Sequence, residues 1–205
     1  MGATIKRTKS ADEALRSLMR LCSRSERSSA DALRLMQRWG VGAVEAKGVL
    51  LRLQEERFID DRRYAEMFTR EKLRLSGWGA YKIKAALRQK GISQEILNEV
   101  VEPMLSDSDS KGRLMELLLR KIKSIKGTSI FDIKGKLIRF GLSRGFEMND
   151  VHECASTIIK DIDEDFEIYE KFGAEMCDML KEEGYTRYGI ERDANQKERI
   201  VWAQR

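Results

Sequence analysis

The chain is poor in residues that break helices or cross-link loops. Its 205 residues include one proline, one histidine and three cysteines. A single proline leaves long stretches free to form helices, and strong helix formers occur throughout, so the composition predicts an all-α fold. The cysteines are odd in number and form no Cys-x-x-Cys pair, which favours reduced thiols inside a cell.

Long apolar runs and targeting signals are also missing. No apolar stretch approaches the length of a membrane span. Charged residues interrupt the first twenty positions, so no signal peptide is visible: Lys6, Arg7, Lys9, Asp12 and Glu13. We therefore expect a cytoplasmic protein without a membrane partner.

The sequence offers little catalytic chemistry. Neither Gly-x-x-x-x-Gly-Lys-Ser/Thr nor Gly-x-Gly-x-x-Gly occurs, so we expect no nucleotide or other cofactor. Asp60 and Asp61 could be a metal or acid–base pair, but no third ligand is spaced to complete a site, and helix capping is the favoured interpretation. His152 has no implied nucleophile beside it. We predict that the protein binds no metal and is not an enzyme.

Three glycines occupy matching positions along the chain. Gly40, Gly91 and Gly145 lie 51 and then 54 residues apart. A basic residue precedes each by one or two positions, and a β-branched or aromatic residue follows: Arg38 and Val41, Lys90 and Ile92, Arg144 and Phe146. Apolar residues recur at helical spacing nine to thirteen residues further on. This period predicts helical repeats that must stack, because one unit cannot bury its own apolar face.

The expected helices fall into threes. They are predicted near 11–23, 28–39 and 43–56, then after Asp60, at 80–90 and after Ser93, and then near 111–125, 131–143 and 149–161. We expect an all-α fold of tandem three-helix repeats, stacked into an elongated curved array with a C-terminal helical extension. The predicted limits are a basic arm at 1–9, repeats at 10–57, 58–105 and 106–161, and an acidic extension at 162–205. Within the extension, helices are expected at 163–183 and 191–203, with a turn at 184–189.

Charge is distributed unevenly. Residues 1–161 carry a net charge of +10, whereas residues 162–205 carry −5. A basic body favours a polyanionic partner, although a pI near 9.1 is also ordinary for a small soluble protein.

The candidate binding residues lie in the second repeat. Arg63, Arg70 and Arg74 are spaced to lie near one helix face, and Lys84 and Arg88 form an i,i+4 pair. Arg62, Lys82 and Lys90 would extend the same basic patch beside Trp78 and Tyr81. The patch is interpreted as a contact surface for DNA or a DNA-bound protein; the alternative is a solvated face partly neutralised by neighbouring glutamates.

The second repeat also carries a recognisable pattern. Residues 58–65 are Phe-Ile-Asp-Asp-Arg-Arg-Tyr-Ala, Gly77 follows, and 82–87 lead to Lys90-Gly91-Ile92. This pattern resembles the hallmark of the RecX family, bacterial regulators of the RecA recombinase. Ser25-Glu26-Arg27 and Ser143-Arg144-Gly145-Phe146 also resemble family elements, and the likeness covers roughly residues 25–160. The hallmark positions expected to be structural are Asp60, Asp61, Tyr64, Ala65, Gly77, Leu87, Gly91 and Ile92.

The resemblance implies a role in recombination and DNA repair. The expected function is binding to RecA or to its filament on single- or double-stranded DNA, with inhibition the expected direction and a monomer the expected state. The alternative is a sequence-tolerant DNA-binding module that acts without RecA. Two features depart from the family pattern: the first repeat lacks an Asp-Asp start, and the acidic extension after residue 161 lies outside the resemblance.

Overall fold

The computed structural model describes residues 8–126, 130–161 and 182, together with the backbone of 187–192 and 198–204. The first unit consists of α1 (Ala11–Cys22), α2 (Ser29–Arg38) and α3 (Ala43–Glu55). The second consists of α4 (Asp61–Arg74), α5 (Ala80–Gln89) and α6, which runs from Gln94 to Ser106. The third consists of α7 (Ser110–Ile122), α8 (Ile130–Ser143) and α9 (148–161). The prediction of an all-α body made of three-helix repeats is confirmed.

Side-chain caps begin most of these helices. Ser28, Asp60 and Ser93 each accept hydrogen bonds from backbone amides in the first turn of the helix that follows. Ser10 and Glu13 form a reciprocal capping box at α1. Such caps occupy amide groups that have no partner within the helix, and they fix where each helix starts.

Helix α6 has a wide turn at its centre. Leu97–Val101 is π-helical and stands between the α-helical segments Gln94–Ile96 and Glu102–Ser106. Pro103 lies two residues beyond this segment, and it has no amide hydrogen to donate to the preceding turn. The wider turn accommodates this gap, so the helix reaches Ser106 with Pro103 in its last turn.

The three repeated glycines adopt one conformation. Gly40, Gly91 and Gly145 have φ angles of +75°, +77° and +83°. The residue after each glycine donates its amide hydrogen to a carbonyl five positions earlier, from Val41 to Met36, Ile92 to Leu87 and Phe146 to Gly141. This is the Schellman ending of a helix, which requires the left-handed region that glycine adopts without steric cost. The matching glycines of the sequence are therefore matching turns.

Each glycine turn accepts a hydrogen bond from a residue that lies earlier in the chain, outside the turn's own unit. In every case the carbonyl directly before the glycine accepts the hydrogen bond from that residue, at 2.8–2.9 Å: Trp39 from the Lys9 amide, Lys90 from the Ser28 hydroxyl, and Arg144 from the Gly79 amide. Ser28 and Gly79 are the N-caps of α2 and α5. At the second and third glycine turns the donor is therefore an N-cap residue of the preceding unit. At the first turn it is Lys9 of the basic arm.

Helix α8 departs from this regularity. It has 14 residues, whereas α2 and α5 have 10 each. Ser28 and Gly79 each stand twelve positions before their unit's glycine, and in the third unit the twelfth position is Ile133, inside the helix. Helix α8 therefore starts about one turn earlier than α2 and α5 do, and the position equivalent to their N-cap residues lies inside the helix.

Each unit has its own apolar core. The buried set of the first unit runs from Ala14 to Ile59, that of the second from Tyr64 to Leu105, and that of the third from Leu114 to Ile159. Ion pairs and hydrogen bonds cross the junctions between the units. The unit limits 10–57, 58–105 and 106–161, and the elongated curved shape, stay predictions.

Arg57 ends helix α3 with the same left-handed backbone conformation, although it is not a glycine. Arg57 follows α3 with a φ of +59°, and the amide of Phe58 donates to the carbonyl of Leu53. We expect Arg57→Gly to raise the free energy of unfolding by about 0.5–1 kcal/mol, because relief of a left-handed residue gains roughly 1–2 kcal/mol and the extra chain entropy of glycine offsets part of it. Urea denaturation would measure this, and a loss of stability would show that the Arg57 side chain contributes more than its backbone strain costs.

The C-terminal extension forms strands rather than a helix at 187–192 and 198–204. Arg187–Arg192 (β1) and Glu198–Gln204 (β2) form an antiparallel pair, with a register shift at Gly189/Ile190. The predicted helix at 191–203 and the part of the predicted turn at 187–189 are therefore wrong. Ile200, Val201 and Trp202 are β-branched or aromatic residues that favour strands. The predicted helix at 163–183 lies outside the described residues, except for Glu182, which is helical.

Candidate nucleic-acid interface

Three of the eight predicted binding residues lie at junctions between units. The guanidinium of Arg63 makes two hydrogen bonds to the carboxylate of Glu26 in the first unit, at 2.8 and 3.1 Å. The ammonium of Lys90 lies 3.1 Å from a carboxylate oxygen of Asp31, also in the first unit. These pairs hold the first two units together, so both cations are already engaged.

Lys82 performs the same role at the other junction. Its ammonium donates to the carbonyl of Ser143 in the third unit at 2.9 Å and lies 4.9 Å from the centre of the Trp78 ring. The ammonium of Lys84 is paired with Glu102 within the second unit. A contact surface would require Lys82 and Lys84 to be exposed, but both side chains are half-buried.

The remaining four cations of the predicted patch are exposed. Arg62 pairs with Glu99 and Arg70 with Glu66, each at 2.6 Å, and Arg88 donates to the side-chain amide of Gln94. Arg74 has no partner among the residues that the structure describes. Exposed ion pairs contribute little to stability, so these side chains can exchange partners at low cost. The structure thus separates the predicted patch into junction residues and loosely paired surface residues.

This division predicts different outcomes for two neighbouring substitutions. Lys82→Ala should lower the free energy of unfolding by about 1–2 kcal/mol, because it removes a charged hydrogen bond and a contact with Trp78. Arg88→Ala should change it by less than about 0.5 kcal/mol. Chemical denaturation of the two variants would measure the difference, and equal effects would contradict the junction role of Lys82.

The paired aspartates have structural partners. One carboxylate oxygen of Asp60 accepts from the amides of Arg62 and Arg63 at 2.9 and 3.0 Å, which confirms that Asp60 caps α4. Asp61 accepts from the amide of Ser29, at the start of α2, at 2.8 Å. The Asp-Asp pair thus begins one helix and caps the middle helix of the neighbouring unit.

The two cysteines of the described region behave as core residues. Cys154 is buried in the third unit and Cys22 is partly buried against the first-unit core. Burial raises the pKa of both thiols, which disfavours the reactive thiolate.

The described part of the chain holds no group of three His, Cys, Asp or Glu side chains placed to bind a metal ion. His152 is exposed on α9. Within the same part, every helix is too short or too polar to span a bilayer.

Sequence reasoning missed a basic region in the third unit. Residues 120–139 contain seven cations and one acidic residue, Asp132. We call the seven cations the third-unit basic segment: Arg120, Lys121, Lys123, Lys126, Lys134, Lys136 and Arg139. A sliding charge count, which needs no motif, would have found it.

Much of this segment is free to bind. Lys136 is paired with Asp132 at 2.7 Å, and Arg120 lies 3.3 Å from Glu116. The side chains of Lys123, Lys134 and Arg139 have no partner within the described region. Phe131, at the start of α8, is 86% exposed. Cations beside an exposed aromatic ring are typical of surfaces that bind single-stranded nucleic acid.

The first unit carries a second basic stripe. Arg16, Arg20 and Arg24 are spaced four residues apart along and just beyond α1, and all three are exposed. Arg20 and Arg24 line a shallow groove with Lys9, whose ammonium lies 3.8 Å from the centre of the Trp39 ring. Unpaired cations therefore concentrate in the outer two units, on either side of the unit that carried the predicted patch.

Comparisons with known proteins agree with this architecture. A family profile for the second three-helix domain of RecX matches residues 60–101. A crystal structure of RecX from Lactobacillus salivarius has a TM-score of 0.59 at 19% identity, covering 75% of this chain and 96% of that one. A crystal structure of another regulatory protein RecX gives 0.60 at 19% identity, covering 74% and 73%. At this identity the likeness establishes the fold.

Sequence similarity is closer. The chain is 32% identical over 120 residues to the regulatory protein RecX of Clostridium botulinum (strain Eklund 17B / Type B), covering 58% of this chain and 53% of that protein. It is 31% identical over 142 residues to the regulatory protein RecX of Chlorobium phaeobacteroides (strain BS1), covering 69% of this chain and 91% of that protein. Since the second match spans nearly the whole relative and the repeats agree in structure, the chain belongs to the RecX family of regulatory proteins.

Proposed function

We propose that this protein regulates a RecA-type recombinase by binding the filament that the recombinase forms on DNA, and that it inhibits the filament. Membership of the RecX family carries this proposal. The protein would act by occupying a surface rather than by catalysis. We further propose that it does so as a cytoplasmic monomer.

The distribution of charge supports binding to an extended polyanion. Unpaired cations lie on α1 of the first unit, and directly after α7 and on α8 of the third unit. Two basic regions on separate units can contact a long ligand at two places, and the second contact benefits from the first because it becomes intramolecular. The polar junctions between the units permit small adjustments to such a ligand.

The test compares two ligands in one assay. Binding is measured by fluorescence anisotropy to a labelled single strand, bare or coated with RecA in the presence of a slowly hydrolysed ATP analogue. The proposal expects tighter binding to the coated strand and a fall in RecA-catalysed ATP hydrolysis when the protein is added. The protein alone, without RecA, is the control for intrinsic hydrolysis.

The alternative is a DNA-binding module that acts without RecA. The third-unit basic segment favours it, because this segment needs only phosphates as partners. Equal affinity for bare and coated strands, with unchanged RecA hydrolysis, would support the module and contradict regulation of the filament.

A further inference from the structure

A small pocket at the junction of the first two units is lined mainly by cations. Its volume is about 180 Å³, and its walls come from the first unit and from the residue before the second-unit glycine turn. The lining residues are Arg27, Asp31, Arg34, Leu35, Arg38 and Lys90. Arg27 belongs to the Ser-Glu-Arg element noted in the sequence, and neither the fold nor the proposed function accounts for it.

The single carboxylate of the pocket is already shared. Asp31 lies 2.6 Å from the guanidinium of Arg34 and 3.1 Å from the ammonium of Lys90. Burial acts to raise the pKa of Asp31, but hydrogen bonds and charge from Arg34 and Lys90 outweigh it and lower the pKa. Asp31 is therefore ionised at neutral pH, and four cations against one anion leave the pocket with a net charge of +3.

The other two cations lack partners among the residues described. The Nε–H of Arg27 is buried and has no hydrogen-bond acceptor. The neighbouring carboxylate of Glu26 is occupied by Arg63, so it does not neutralise Arg27. Arg38 is exposed at the end of α2. The pocket therefore presents the charge of Arg27 and Arg38 with no protein acid of the described region bound to either.

We propose that this pocket binds a phosphate oxyanion. Guanidinium groups match the oxygens of phosphate in both geometry and charge, and two of the three arginines here have no protein acid to bind. Leu35 supplies the one apolar side chain of the lining, so the pocket suits a compact anion better than an organic ring. Because Lys90 belongs to the second unit and the other lining residues to the first, the bound anion also ties the two units together. The source is either free phosphate or a phosphodiester of a nucleic acid.

The experiment uses the full chain and inorganic phosphate as the probe. Isothermal titration calorimetry at constant ionic strength, balanced with chloride, should detect saturable binding. Arg27→Gln and Arg38→Ala should each weaken it by about tenfold or more, since each removes a charged hydrogen-bond donor. Arg52→Ala, which removes an exposed first-unit arginine outside both the pocket and the basic stripe, is the matched control and should bind phosphate like the unaltered protein. Arg38→Ala keeps the test valid if Arg27→Gln fails to fold.

A second arm identifies the source of the phosphate. If nucleic acid is the source, inorganic phosphate should compete with a short single strand, and Arg38→Ala should lower the log–log salt slope by about 0.7. If free phosphate is the source, the pocket variants should bind the strand unchanged while losing phosphate; either result supports the site. No saturable phosphate binding would overturn it. So would equal phosphate effects on all variants, which would indicate only the general exclusion of such anions from protein surfaces. Neither outcome depends on RecA, so failure here leaves the proposed function intact.

Discussion

Replacing Gly91 with valine is expected to lower the free energy of unfolding by about 2–4 kcal/mol, through two additive causes. The φ angle of +77° is strained for any residue with a Cβ, and more so for a β-branched one. A Cβ at this position would also lie 2.5 Å from the Cβ of Ala30 in the first unit. The substitution therefore strains the turn and forces two units apart, and urea denaturation would measure the sum.

Two further variants separate these causes. Gly48 lies on the exposed face of α3 with open space around it, so Gly48→Ala should stabilise the protein by about 0.5–1 kcal/mol. Gly91→Ala, the same chemical change, should destabilise it. Combining Gly91→Ala with Ala30→Gly should recover the part that is due to the clash and leave the part due to φ. A double variant no more stable than the additive expectation would show that the junction does not resist the added atom.

Neutralising part of the third-unit basic segment should cause the largest loss of binding. Changing four of its exposed or unpaired cations to glutamine is expected to reduce affinity for a bare single strand roughly a hundred- to a thousandfold at low salt. The log–log salt slope should fall by up to about 0.7 for each lost phosphate contact, or about 0.9 on duplex DNA. The four are Lys123, Lys126, Lys134 and Arg139.

The matched control neutralises four cations of the second unit: Arg62, Arg70, Lys84 and Arg88. Three of them pair with glutamates of their own unit and the fourth with a glutamine, so their loss should weaken binding less. Both variants remove the same formal charge, which isolates position as the cause. A larger loss in the second-unit variant would show that the sequence-based patch is the binding surface after all.

The helices and their turns were predictable because their causes are local. A glycine in the left-handed region, a capping side chain and an apolar stripe all act within a few residues, so they leave a pattern in the sequence. Gly40, Gly91 and Gly145 are examples, since each is required by its own turn. The strands at 187–192 and 198–204 were missed because three consecutive apolar residues fit a helix or a strand, and pairing with a distant segment decides between them.

The binding residues were harder to predict because their partners lie far away in sequence. Lys90 pairs with Asp31 and Lys82 with the carbonyl of Ser143, each about sixty positions away. No local pattern distinguishes such a lysine from a free one. A lysine at a junction can therefore be told from a lysine on the free surface only when the packing of the units is known.

The hydrogen bonds that the glycine turns accept from earlier residues limit where an additional repeat could be added to this protein by design. A fourth unit inserted between two existing units could make both hydrogen bonds. Its N-cap residue would donate to the glycine turn of the unit after it, and its own glycine turn would accept from the N-cap residue of the unit before it. One fused ahead of the first unit would have to displace Lys9, which already donates to the carbonyl of Trp39. One added after the third would meet the extra turn of α8, which places Ile133 inside the helix where Ser28 and Gly79 begin theirs. Within the described residues, the inner junctions therefore offer the complementary groups that a new unit needs, whereas Lys9 and the extra turn of α8 occupy those positions on the outer units.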